Sequence, residues 1–174
     1  AAHLGSKLKD ARFIMPVSSS TISRGTGITL EYINDVINSR GAKISVETDM
    51  TYDILSVSDF SIITSGTATL EAACLLTPMV IVYKVSLLTE MYARIMTSLP
   101  KYFGLPNLIL NKAVVPEFIQ KNVTADIISN SVVELLNSSE KLADMKNELK
   151  SVVKNLGEIG ATKKVSEMIL KMVE

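Results

Sequence analysis

Short apolar runs alternate with amphipathic stretches through the first two-thirds of the chain. Arg12 to Val17 (Arg-Phe-Ile-Met-Pro-Val), Lys43 to Glu47, Phe60 to Thr64 and Met79 to Tyr83 have the length and β-branched content of buried strands. Between the first two, Thr29 to Ser39 sets Leu30, Ile33, Val36 and Ile37 at helical spacing, with Gly41 where a helix stop belongs. Tyr52 to Val57 and Ala68 to Leu76 predict shorter helices, and Leu87 to Ser98 a longer amphipathic one. Leu108 to Leu110, after the loop punctuated by Pro100 and Pro106, is the expected fifth strand. This β-α order implies a mostly parallel sheet with helices on both faces.

Beyond Asn122 the pattern is helical only. Thr124 to Leu136 gathers Ile127, Ile128, Val132, Leu135 and Leu136 on one face, with Asn122 or Thr124 as the cap. Ser139 to Leu156 does the same with Leu142, Met145, Leu149, Val152 and Val153, and Lys163 to Val173 turns Val165, Ile169 and Met172 inward. The change of character divides the chain into an α/β domain over residues 1–137 and a helical tail over 138–174. At the other end, Ala1-Ala2-His3-Leu4 reads as the tail of a helix already under way, as in a piece of a longer protein.

The strand over Phe60 to Thr64 feeds its helix through Ser65-Gly66-Thr67. A helix start leaves backbone N–H groups without partners and carries the positive end of the helix dipole, which suits a phosphate or diphosphate. Glu71, one turn on, is placed to accept from vicinal ribose hydroxyls. The same residues equally describe an ordinary helix start, with Thr67 as cap and Glu71 as a solvated first-turn acid. Loops after Tyr83-Lys84 and around Leu105-Pro106-Asn107 fall on the same rim, beyond the carboxyl ends of the strands, where open parallel sheets bind ligands.

Charge narrows the function classes. Lys+Arg and Asp+Glu both number 18, and a formal net charge of +0 argues against a general nucleic-acid binder. The one cysteine, Cys74, lies among Ala72, Ala73, Leu75 and Leu76 and is expected to be a small buried apolar residue; alone it makes no intrachain disulfide. His3, the one histidine, sits near a frayed terminus, so a histidine-based triad or metal site is not expected.

Ser58-Asp59, Ser65-Gly66-Thr67-Ala68-Thr69-Leu70-Glu71-Ala72, Pro78-Met79-Val80, Tyr83-Lys84, Leu105-Pro106-Asn107-Leu108 and Val115-Pro116-Glu117-Phe118-Ile119-Gln120 together resemble the C-terminal half of lipid-A-disaccharide synthase. The resemblance implies the donor-binding half of a GT-B glycosyltransferase, a Rossmann-like fold lacking its first strand and its Gly-Ser-Arg phosphate loop. It implies an inverting transfer from UDP-2,3-diacylglucosamine to 2,3-diacylglucosamine 1-phosphate (lipid X), without metal or other cofactor. The implied setting is cytoplasmic, peripheral to the inner membrane, with no nucleic-acid partner.

Position by position, the resemblance sets Ser65, Gly66, Thr67 and Thr69 against the diphosphate and Glu71 on the ribose. Lys84 stands near a phosphate where relatives carry Arg, Asn107 faces the donor, and Glu117 with Gln120 closes the nucleotide side. The acceptor site and general base would lie in the N-terminal domain, outside this chain, leaving these 174 residues inactive alone. Homodimerisation by exchange of the last helix is a further expectation. Two rival readings stay open. One is a GT-B enzyme using another UDP-sugar. The other is a non-catalytic α/β module whose Leu142-to-Val153 helix docks a partner. In an enzyme, the amphipathic stretch Leu87 to Met96, with Arg94 and Lys101 nearby, meets core, acyl chains or membrane.

Overall fold

A computed structural model describes residues 1–23, 27–86, 101–157 and 160–173. In chain order the elements are α1 (Ala2–Lys7), β1 (Ile14–Val17), α2 (Ser19–Ser23), α3 (Leu30–Ser39), β2 (Ser45–Thr48), α4 (Thr51–Val57), β3 (Ser61–Thr64), α5 (Ala68–Cys74) and β4 (Met79–Tyr83). There follow α6 (Leu105–Leu110), β5 (Glu117–Ile119), a 3-10 turn (Gln120–Asn122), α7 (Ala125–Leu136), α8 (Ser139–Asn155) and α9 (Ala161–Val173). The helix expected over Leu87 to Ser98, with Arg94, lies outside the described residues.

Every strand pairing is parallel. β1 pairs with β2, and β3-β4-β5 form a separate three-stranded sheet, with Ser61 opposite Met79 and Ile81 opposite Glu117. The alternation of bonding directions shows which edges are spare. Phe13 and Val17 accept at their carbonyls from the Ser45 and Asp49 amides, so the even residues of β1 turn their backbone groups away from β2. The Ser61 and Ser65 amides bond Pro78 and Val82, so Phe60, Ile62 and Thr64 present theirs to an edge that no strand takes among the described residues. Ile14 and Ile62 are both 45% exposed along these edges. The halves are bridged by α4, which touches β1 and α5. Such an arrangement is a Rossmann-like α/β fold whose described strands form two separate parallel sheets.

Both faces of the three-stranded sheet are covered. On one, Met79 and Ile81 pack with Ala72 and Ala73 of α5 and with Met145, Leu149 and Val152 of α8. The Met79 amide donates to the Met145 sulfur at 3.4 Å in that layer. On the other face, Val80 packs with Leu4 of α1 and Val132 of α7. The long helices start on side-chain caps: Thr29 accepts from the Tyr32 amide, Thr124 from Ile127 and Ser138 from Lys141, each contributing about 1 kcal/mol.

Several expectations fail for identifiable reasons. Leu108 to Leu110 is not a strand; it lies in α6, which starts from Gly104 with Pro106 in its first turn, and the fifth strand is Glu117–Ile119. α8 buries Leu149 and Val152 completely, so the apolar stripe read as a docking surface packs into the α/β core. Instead α9 stands clear: Val165, Ile169 and Met172 are exposed, the last at 85%. Ile127 is exposed too, on the outer side of α7. Cys74 ends α5 on its outer face and is exposed, because Ala72 and Ala73 occupy the inner one. His3 is held rather than frayed, its Nδ1 lying 3.0 Å from Asp126 of α7.

Candidate functional site

The carboxyl ends of β3, β4 and β5 lie side by side because the strands are parallel and adjacent. From β3 the chain leaves through Ser65 and Gly66, the latter at φ +155° with nothing within 4 Å of where a Cβ would stand. A backbone this open can approach a ligand closely. The amides of Thr69, Leu70 and Glu71 bond back to the carbonyls of Gly66 and Thr67. Those of Gly66, Thr67 and Ala68, ahead of them, are the donors such a start leaves over.

Thr67 does not cap α5: it has helical φ and ψ, and its hydroxyl makes no capping bond. Thr69 secures the turn instead, donating its buried hydroxyl to the Gly66 carbonyl at 2.7 Å. The ordinary-cap reading of Thr67 therefore lacks its bond, and the Thr67 hydroxyl is exposed at the rim. Glu71, half-buried one turn on, shares a groove of about 320 Å³ with Thr67, Leu70, Cys74, Leu75 and Tyr52 of α4. Tyr52, 61% exposed, was invisible as a site residue in the sequence, because only the packing of α4 on α5 brings it beside Glu71.

Opposite the turn lies a strap at residues 103–104. The Ser65 hydroxyl donates to the Phe103 carbonyl at 2.8 Å, and the Phe103 ring stacks on Tyr83, centroids 5.3 Å apart. Both oxygens of Glu117 grip this strap, accepting from the Phe103 amide at 2.8 Å and the Gly104 amide at 2.9 Å. Glu117, in β5, thus holds the backbone just ahead of α6. Gln120, in the left-handed region at φ +51°, exchanges bonds with the Val85 backbone and ties the end of β5 to the loop after β4.

Asn107 is not at the rim. It is 1% exposed, and its amide group spends every bond inside the protein. Its Nδ2 donates to the Val115 carbonyl and to Glu117, while its Oδ1 accepts from the amides of Val114 and Val115. The nine candidates therefore fall into two sets. Ser65, Thr69, Asn107, Glu117 and Gln120 are bonded into the framework; Gly66 and Thr67 form the β3-α5 turn, Glu71 lines the groove with Thr67, and Lys84 is exposed just beyond β4.

A larger cleft of about 660 Å³ runs between α3 and the β1-β2 pair, lined by Phe13, Ile14, Ile37, Ala42 and Ser45. It opens at the amino ends of those strands, away from the rim where open parallel sheets take ligands. Among the described residues no group of three or more histidine, cysteine or acidic side chains is placed to hold a metal, and no helix is long and apolar enough to cross a membrane.

A family model described as lipid-A-disaccharide synthetase matches residues 1–173. Among curated proteins, the lipid-A-disaccharide synthase of Sulfurihydrogenibium sp. (strain YO3AOP1) is 34% identical over 172 residues, covering 95% of this chain and 43% of the relative. That of Geobacter sulfurreducens is 32% identical over 173 residues, covering 99% and 43%. That of Rickettsia conorii is 40% identical over 104 residues, covering 60% and 23%. The chain thus spans less than half the length of these relatives.

Proposed function

The chain belongs to the lipid-A-disaccharide synthase family, and from that premise we propose that it is the UDP-sugar-binding half of an inverting glycosyltransferase. In the whole protein, the 6-hydroxyl of 2,3-diacylglucosamine 1-phosphate attacks the anomeric carbon of UDP-2,3-diacylglucosamine. The β-1,6 bond forms as the bond to the diphosphate breaks, and UDP leaves with the electron pair. The general base and the acceptor site belong to the part of the relatives' length that this chain does not span.

In this proposal the amides of Gly66 and Thr67, the Thr67 hydroxyl and the Lys84 ammonium meet the diphosphate, whose charge grows as the bond breaks. Lys84 acts as a point charge, without the bidentate fork of an arginine. Glu71 accepts from the ribose hydroxyls, and the groove beside Tyr52 takes the base. The observation that carries this reading is the uncommitted state of the opening: Thr67 caps nothing, and it lines one groove with Glu71. The spare edges of β1 and β3 support the half-domain reading, since a strand from the rest of the protein would join both sheets and fix the site. The enzyme would work on the cytoplasmic side of the inner membrane, with the exposed face of α9 exchanged in a homodimer.

Hydrogen exchange tests the site directly. UDP is expected to protect the backbone from Ser65 to Glu71 and leave the amino end of β1 unchanged. Protection confined to other segments, or sugar transfer by these 174 residues alone, contradicts the assignment.

A further inference from the structure

We infer that Glu117 is a positioning residue for the Ser65-Gly66-Thr67 turn, acting through the strap at Phe103 and Gly104 without touching the ligand. This rests on the reading of the turn as the nucleotide site. Glu117 opens β5 opposite Ile81, and its carboxylate takes three donors: the Phe103 amide at 2.8 Å, the Gly104 amide at 2.9 Å and Asn107 Nδ2 at 2.7 Å. Hydrogen bonds to an ionised group are the strong kind, and three on one carboxylate fix its direction. Asn107 is itself immobilised by the Val114 and Val115 backbone, so the grip has a rigid base.

The strap passes this order to two strand ends. Its Phe103 carbonyl holds the Ser65 hydroxyl at 2.8 Å, at the head of the turn. Its Phe103 ring holds Tyr83, the residue before Lys84. Little slack is available, because a Cβ on Gly104 would meet Ile81 Cδ1 at 2.2 Å and Glu117 Oε1 at 3.1 Å. For Glu117 to reach a ligand it would have to release the strap that shapes the opening.

The test uses the ¹⁵N-labelled chain with Glu117→Gln, Ser65→Ala and both. Glutamine keeps the shape but turns an N–H toward a backbone N–H, and Ser65→Ala cuts the far end of the strap by removing one hydroxyl. Without ligand, Glu117→Gln is expected to move the amide signals of Ser65, Gly66, Thr67 and Lys84 and to speed exchange at Phe103 and Gly104 about tenfold. The dissociation constant for UDP rises about tenfold, and the double variant binds no worse than the weaker single one, because both cut the same strap. Weaker UDP binding with those ligand-free signals in place, or losses that add, would mean that Glu117 contacts the nucleotide and would overturn the inference. If the unaltered chain binds no UDP, the nucleotide reading fails separately. The ligand-free signals then decide alone: displaced signals at Ser65 to Thr67 in Glu117→Gln uphold the coupling, and unmoved signals there refute it.

Discussion

At the scale of single residues, the site divides by where hydrogen bonds end. The residues around the opening were legible because their signal is local: Ser-Gly-Thr between an apolar run and a helical period, with an acid one turn later. Glu117 and Asn107 carried a family resemblance, yet their roles depend on backbone groups 7 to 14 residues away in sequence. No spacing rule reports such contacts. Gly104 makes the same point through space, and Gly104→Ala is expected to cost about 1 to 3 kcal/mol by overpacking against Ile81. Thermal unfolding would show it as a drop of several degrees in Tm, and an unchanged Tm would mean that the strap yields. Asp49 offers a pH test. The Ser19 amide, 2.8 Å away, holds its carboxyl below the usual carboxylate range. A carboxyl lowered on folding stabilises above its unfolded pKa, and that contribution is lost as pH falls through the folded value. The Ser19 amide signal should therefore titrate below the ordinary aspartate range, and Asp49→Asn, whose side chain tolerates the φ of +58°, should abolish that titration.

At the scale of elements, periodicity located the longer described helices, misread Leu108 to Leu110 as a strand and passed over α2 and β5. Met79–Tyr83 reads correctly as a strand because it is a continuous β-branched run buried on both faces. Leu108 to Leu110 is equally apolar, but it follows Gly104 and Pro106 at a helix start, and a carboxylate from β5 holds the Phe103 and Gly104 amides just ahead of α6. That hold comes from outside the segment, so the segment's own sequence is silent about it. For α8 the helical period correctly marked Met145, Leu149 and Val152 as inward. Leu149→Ala is expected to cost about 2 to 5 kcal/mol, measured by urea unfolding; a loss below 1 kcal/mol would contradict the packing. The same period misled for α9, because amphipathicity states that a face wants cover and not what covers it. Removing residues 158–174 should change the stability of the remaining chain by no more than about 0.5 kcal/mol, since the α9 side chains described are exposed. A large loss would show that α9 packs on the core in solution.

Across the whole molecule, the parallel α/β class followed from element order, and the split into two sheets did not. Composition and hydropathy count strands inside the chain; they do not report a partner strand expected between β1 and β3. The proposed donor-binding half of a larger transferase draws on the spare edges, the exposed α9 side chains and coverage of less than half of each relative. Calorimetry with UDP tests that claim most directly, on the unaltered chain beside Thr67→Ala and Glu71→Ala. The account predicts saturable binding by the unaltered chain and a loss of about tenfold or more in each variant, as expected for lost hydrogen bonds to charged groups. Binding that survives both substitutions unchanged would contradict it and move the nucleotide away from the β3-α5 turn.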